Sequence, residues 1–143
     1  MSHPVLSRRS FLTQSGMALL GTGLALGCAA MTTLEVAPQN GRLVVDTAMF
    51  QELAEVGGAI HVKPSRLSDP LLLIRTGAEE YRAVSTICTH LGCQVRKTRL
   101  ALRCPCHGSV YDFEGRVING PAKQSLLAYA VDVAGTTVTI HLG

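Results

Sequence analysis

Two short segments concentrate the side chains able to hold a metal: Cys88-Thr-His90-Leu-Gly-Cys93 and Cys104-Pro-Cys106-His107-Gly-Ser109-Val-Tyr111-Asp112. The first offers Cys-x-His and the second Cys-x-x-His. Each follows a stretch that reads as a strand, so each forms a loop at a strand end where side chains can converge. Thiolate and imidazole together suit iron–sulfur clusters, zinc or copper. Zinc sites built from two cysteines and two histidines space the cysteines about two to four residues apart and the histidines about three to five. Here every segment supplies one of each. That alternation lets one cysteine from each loop bind one iron and one histidine from each loop bind another. No nucleophile–base arrangement or carboxylate pair asks for a separate catalytic account.

The two segments resemble the signature of the Rieske iron–sulfur family, in which two histidines replace two cysteines on one iron. The resemblance runs from about Leu43 to Leu142. It implies one [2Fe-2S] cluster with Cys88 and Cys104 as thiolate ligands and His90 and His107 as imidazole ligands. It further implies that Cys93 and Cys106 form a disulfide linking the two loops. Ser109 and Tyr111 match the hydroxyl donors of the high-potential branch, the serine to a bridging sulfide and the tyrosine to a ligand thiolate, and such bonds favour the reduced form. Gly115-Arg-Val-Ile-Asn-Gly120-Pro121-Ala122 resembles the proline-containing loop on the cluster's third side. Lys123 stands where the family often has a second proline. The expected fold is all-β: a Rieske-type antiparallel β-sandwich with a small cluster-binding subdomain of two loops.

The remaining chain must export and position this site. Ser7-Arg8-Arg9-Ser10-Phe11-Leu12-Thr13 opens a leader that turns apolar and runs to Cys28, the fifth cysteine. A charged start before an apolar stretch is an export or anchor segment, and the paired arginines resemble a twin-arginine signal. That pathway carries folded proteins, and a disulfide belongs in an exported chain. No charge interrupts Ser10 to Leu34, and a membrane span needs about 20 mostly apolar residues. Retention as an anchor, lipidation at Cys28 and cleavage near Ala29 or Ala30 are three fates for this segment. The expected organisation is therefore 1–31 signal or anchor, 32–42 linker with Pro38 and Asn40-Gly41, and 43–143 cluster domain.

Hydrophobic residues make up 47% and charged residues 16% of the 143, which excludes a disordered chain, and the lack of Trp leaves the core to Val, Leu, Ile and Ala. The net charge of +3 includes Arg8 and Arg9; without them eleven bases face ten acids. With neither a basic stripe nor stacking aromatics, nucleic acid is excluded as a partner. Leu43–Asp46, Ala59–Val62, Leu71–Arg75 and Tyr81–Ile87 read as strands. Asp46 is expected to cap a brief helix bearing Met49, Phe50, Leu53 and Ala54. Leu126–Val133 and Thr136–Leu142 flank Ala134-Gly135 as a hairpin. His61 and His141 read as surface or edge histidines. The basic group Arg96, Lys97, Arg99 and Arg103 reads as a solvated hairpin tip, a docking face for an acidic cytochrome being the alternative.

The resemblance implies one-electron transfer from quinol to a c-type cytochrome by the iron–sulfur subunit of a cytochrome bc-type complex, not a self-contained enzyme. Its partners would be a quinol-oxidising cytochrome b-type subunit and a c-type cytochrome. The head would sit tethered on the periplasmic face of the cytoplasmic membrane. Competing readings are the small Rieske subunit of an arsenite-oxidase-like periplasmic oxidase, a stand-alone Rieske protein, a ferredoxin for a ring oxygenase, and a structural zinc-binding module.

Overall fold

The unbroken apolar run Leu71-Leu72-Leu73-Ile74 sets the architecture, because a strand that reads apolar without alternation has to be covered on both faces. The computed structural model describes residues 31–65 and 67–143; the leader, with Arg8, Arg9 and Cys28, lies outside them. Twelve strands follow one another in these residues: β1 (Thr33–Val36), β2 (Arg42–Asp46), β3 (Ala59–Pro64), β4 (Leu71–Arg75), β5 (Tyr81–Ser85), β6 (Arg96–Lys97), β7 (Leu102–Arg103), β8 (Val110–Tyr111), β9 (Val117–Asn119), β10 (Ala128–Tyr129), β11 (Val131–Ala134) and β12 (Thr137–His141). They form three sheets, ordered β1-β3-β4-β5-β10, β11-β12-β2 and β6-β7-β8-β9. The fold is all-β, as expected.

The five-stranded sheet is the middle layer. Leu71, Leu73, Tyr81 and Ala83 point to one face and pack with Leu43 and Val45 of β2 and Val138 and Ile140 of β12. Leu72, Ile74 and Val84 point to the other face, beneath the cluster-loop region, where they join Val95, Leu102, Tyr111, Ala122 and Leu126. β4 thus belongs to both cores, and the period-2 geometry of a strand is what divides its side chains between them. The second core is the platform on which the cysteine loops stand.

Three expectations are refined. Within the stretch read as a linker, Thr33–Val36 form β1, paired parallel to β3 with Leu34 opposite Val62. Leu34 and Val36 rest on the first core, an apolar contribution outweighed in the sequence by the neighbouring turn residues. In place of a short helix after Asp46 there are two 3-10 turns, Thr47–Met49 and Gln51–Leu53, separated by an extended Phe50 at φ −121°. Asp46 does cap the first, accepting from the Ala48 N–H at 3.1 Å. The strand expected from Leu126 to Val133 is two, β10 closing the five-stranded sheet on β5 and β11 pairing with β12. His141 sits on β12 with Nε2 2.7 Å from Asp132. Among the described residues no helix is long and apolar enough to cross a membrane.

Arg75, at the end of β4, binds the loops of the larger half together. Its Nη1 donates to the carbonyls of Leu53 at 3.1 Å and Ala54 at 2.7 Å, Nε donates to Gly77 at 3.1 Å, and Nη2 donates to Ala78. The guanidinium also lies 5.9 Å from the centre of the Tyr81 ring. A planar fork is the side chain suited to several carbonyls at once. Arg75→Ala leaves those carbonyls without their charged donor and is expected to lower stability by about 2 kcal/mol. Urea unfolding followed by circular dichroism measures it, and Arg75→Lys should recover only part of the loss.

Candidate metal centre

The two cysteine loops close in the same way. In the first, the Cys88 N–H donates to the Cys93 carbonyl at 2.8 Å and the Gly92 N–H to the Cys88 carbonyl at 2.9 Å. In the second, Cys104 donates to Ser109 at 2.8 Å and Gly108 to Cys104 at 3.1 Å. Each loop turns on a glycine with positive φ, Gly92 at 76° and Gly108 at 77°, a conformation that favours a residue without Cβ. The repeated Cys-x-x-x-Gly spacing was visible in the sequence and is the signal for this paired geometry. The loops differ in where the histidine stands, at the second position after the first cysteine and at the third after the other.

This construction brings the four cysteines together in two different states. Cys88 and Cys104 are free thiols, buried at 2% and 1% exposure. Cys93 and Cys106 are joined, with an S–S distance of 2.06 Å across 13 residues. The sulfurs of Cys93, Cys104 and Cys106 all lie within 4.8 Å of one another. They do not form a three-thiolate site, because two of them are bonded to each other; Cys104 alone of the three keeps a free thiol. The rings of His90 and His107 meet edge to face with centres 5.0 Å apart. His107 is exposed and His90 half-buried.

Two observations test whether these residues fit a bound metal group. Nδ1 of His90 is buried yet has no hydrogen-bond partner, and a buried polar atom left so normally answers to something that satisfies it. The Cys88 thiol is also shifted toward easier ionisation. Burial opposes its ionisation, but hydrogen bonds from the Tyr111 hydroxyl, the His90 backbone, Cys104 and Ser109 outweigh this and hold the thiol below its ordinary value. Two buried thiols, an orphan imidazole nitrogen and a second imidazole beside it form the donor set of a mixed sulfur–nitrogen metal group. The fit is good.

Tyr111, from β8, is fully buried, with its Oη 3.2 Å from Cys88 Sγ. The Thr89 N–H donates to that oxygen at 3.3 Å, while the Thr89 hydroxyl donates to the Gln124 carbonyl at 2.6 Å. The tyrosine proton is thereby left for the sulfur or for Thr89 Oγ1, 3.1 Å away. Burial and the neighbouring Cys88 push the phenol pKa up, so it stays a donor. Ser109 Oγ, equally buried, accepts from the Ala122 N–H at 3.2 Å, which frees its own proton for the site. Thr89 is the contributor that the sequence reading did not single out.

The third loop reaches the site through Gly120. A Cβ there would stand 2.6 Å from Ser109 Cα and 3.0 Å from the Gly108 carbonyl, at a φ of 102°. Both obstacles are backbone, and the conformation is one only glycine adopts readily. Gly120→Ala is expected to cost about 2 kcal/mol and to pull the Ala122 N–H off Ser109. Denaturant unfolding checks the first effect. The second should appear as faster hydrogen exchange at Ala122.

This arrangement, a β-sandwich carrying two disulfide-linked loops with paired thiols and imidazoles, is that of iron–sulfur proteins of the Rieske type. The Rieske [2Fe-2S] domain model matches residues 48–133, and the chain belongs to that family; its cofactor is one [2Fe-2S] cluster. The chain is similar to the cytochrome b6-f complex iron-sulfur subunit of Prochlorococcus marinus, 43% identical over 76 residues that cover 50% of this chain and 43% of the relative. It is 45% identical over 71 residues to the chloroplastic subunit of Chlamydomonas reinhardtii, covering 46% of this chain and 34% of that one. The chain thus spans less than half the length of these relatives. Among solved structures it is similar to the cyanobacterial plasma membrane Rieske protein PetC3 of Synechocystis, with 31% identity and a TM-score of 0.52 over 58% of this chain and 85% of that one. The ferredoxin–oxygenase complex of carbazole 1,9a-dioxygenase, at 21% identity and a TM-score of 0.58, covers 73% of this chain and 95% of that one and shares the fold alone.

Proposed function

We propose that the chain moves single electrons as the iron–sulfur component of a quinol-oxidising, cytochrome bc-type complex, with Cys88, Cys104, His90 and His107 as the cluster ligands. The observation that carries this reading is the convergence of two buried free thiols and two facing imidazoles, with Tyr111 Oη 3.2 Å from Cys88 Sγ. The cluster, when bound, supplies a one-electron couple whose potential in this class runs from about −150 to +300 mV. The protein's part is to set that potential and shield the site. Tyr111 and Ser109 hold hydroxyl protons against sulfur, which favours the reduced charge. The Cys93–Cys106 bridge ties the two loops on the outer side. Exposed His107 is the imidazole placed to accept a proton from quinol at the surface. A c-type cytochrome is the acceptor in this reading.

The leader at 1–31 fits export by the twin-arginine route, with the head on the periplasmic face and tethered through an anchor or a lipid at Cys28. Mass spectrometry of the mature N-terminus distinguishes these fates. The domain division is 43–143 for the head, with β1 as an added edge strand from 32–42. A second reading is a Rieske protein serving a partner outside such a complex; the similarity to the Synechocystis plasma membrane Rieske protein, which extends over 85% of that chain, supports it.

Redox titration of the purified holoprotein, followed by EPR and absorbance across pH, is the test. The midpoint expected for quinol chemistry is well above 0 mV and falls toward alkaline pH. A midpoint near about −150 mV that ignores pH around neutrality would remove quinol chemistry in favour of a ferredoxin role. A colourless, zinc-loaded protein would remove redox function altogether.

A further inference from the structure

Residues 81–111, which carry both cluster loops, contain five basic side chains and no carboxylate, whereas the rest of the chain from 31 onward holds ten carboxylates and six bases. Only Asp112 and Glu114 of those ten carboxylates lie between strands of the small sheet, so the cluster-bearing half is the more basic one. Two of the five bases are set directly against each other: Arg96 on β6 is the cross-strand partner of Arg103 on β7. Both are exposed. Opposed residues of an antiparallel pair share a face, with Cβ atoms about 5 Å apart, and like charges so placed destabilise the sheet. Neither arginine makes an ion pair among the described residues; the nearby acids Asp112 and Glu114 are engaged by Arg116. The register cannot relax to part them. Leu102, next to Arg103, is fully buried in the second core, and a one-residue slip would turn it outward. Lys97, beside Arg96, takes the other side of the strand, with its ammonium 5.4 Å from the Phe113 ring centre.

Two arginines set opposite each other on one strand pair are a poor stabilising device and a good receptor for carboxylates, which guanidinium groups bind in bidentate fashion. We propose that this outer face of the small sheet, centred on Arg96 and Arg103, docks the carboxylate-bearing surface of a redox partner protein. The proposal rests on the electron-transfer reading above and adds to it the sign and place of the partner's charge. Arg103 directly precedes Cys104, so a partner held there lies beside the cluster loop rather than at the far end of the molecule. A lipid surface or nucleic acid fits less well. Anionic bilayers are held by clusters of about four to eight bases on one surface, whereas Lys97 turns to the other side of its strand, and the eight carboxylates outside the small sheet, with Asp112 and Glu114 beside it, would be repelled by an extended polyanion. A partner protein with a localised acidic patch meets the arginines and avoids those carboxylates.

The test uses the full-length holoprotein, with an acidic and a basic c-type cytochrome and phosphatidylglycerol vesicles as probes. Equilibrium binding is measured with all partners oxidised, across ionic strength. The acidic cytochrome should bind in preference to the basic one, with affinity falling as salt rises. Arg96→Glu with Arg103→Glu should weaken that binding by roughly tenfold or more and flatten its salt dependence. Arg96→Gln with Arg103→Gln should fall between, and should be no less stable to urea than the parent because the opposed charges are gone. Arg42→Glu, on the other half, should change nothing. Unchanged binding in the paired glutamate or glutamine variants overturns the proposal, as does tight binding to the vesicles without selective binding to the acidic cytochrome. A cluster that cycles reversibly in a chain that ignores the acidic cytochrome sinks the docking face alone. Selective binding by a chain whose cluster does not cycle sinks the electron-transfer reading and keeps the docking face.

Discussion

Replacing Cys93 and Cys106 together by serine is expected to lower the stability of the domain by about 3 kcal/mol, the chain-entropy value for a loop of this length. The bond spans 13 residues and joins the tips of the two loops, so its loss also lets the loops that carry His90 and His107 separate. The double variant should assemble cluster but lose its absorbance much faster than the parent during incubation in air. Reduction of the parent by a dithiol is a different experiment, and the geometry says why. It frees two thiols beside Cys104, whose sulfur lies within 4.8 Å of both in the bridged protein. Three adjacent thiolates are a competent zinc or iron site in their own right. The reduced parent should therefore take up zinc as its cluster decays, whereas the serine variant, equally unbridged, should not. Metal analysis of the two after dialysis separates loop restraint from thiol competition. Equal zinc uptake by both would show that Cys93 and Cys106 do not compete for metal.

The larger half of the fold was legible in the sequence because its strands are long enough to show their period. Ala59–Val62, Leu71–Arg75 and Tyr81–Ser85 each carry the apolar pattern that a middle sheet imposes. β1 was not legible: Thr33–Val36 is four residues long and is followed by Pro38 and Asn40-Gly41, so local turn chemistry masks a strand that only tertiary pairing reveals. The helix expected after Asp46 fails for a related reason. The cap is real, but extended Phe50, half-buried against the first core, breaks the segment into two 3-10 turns, and a helix of one or two turns has little cooperative strength of its own. In the small sheet, strands of two or three residues leave no period to read. What can be read there is chemistry: cysteines and histidines have few reasons to cluster, so the donor set stood out where the strands did not. Thr89 shows the limit of that approach. Its hydroxyl and N–H organise Tyr111 and the third loop, yet a threonine between two candidate ligands carries no compositional signal.

Tyr111→Phe isolates the hydroxyl that this network positions. The substitution keeps the ring in the second core and removes one donor 3.2 Å from Cys88 Sγ. A hydrogen bond to a charged group contributes about 1.5 kcal/mol or more, and a one-electron couple moves about 59 mV per tenfold change in equilibrium constant. If that energy is felt mainly in the more negative, reduced state, the midpoint should fall by roughly 60–70 mV while the EPR signal keeps its form. The phenol is pushed above its ordinary pKa by burial and by Cys88, so it stays protonated through neutral pH and the difference between parent and variant should be constant there. Thr89→Val supplies the contrast. It cuts the bond to Gln124 and removes the other acceptor for the tyrosine proton, leaving that proton to the sulfur. The midpoint of Thr89→Val should therefore hold or rise, although its third loop is loosened and its stability reduced. A fall in both variants would mean that the potential follows general loosening of the loops; a fall confined to Tyr111→Phe assigns it to the single bond from Oη to Cys88 Sγ.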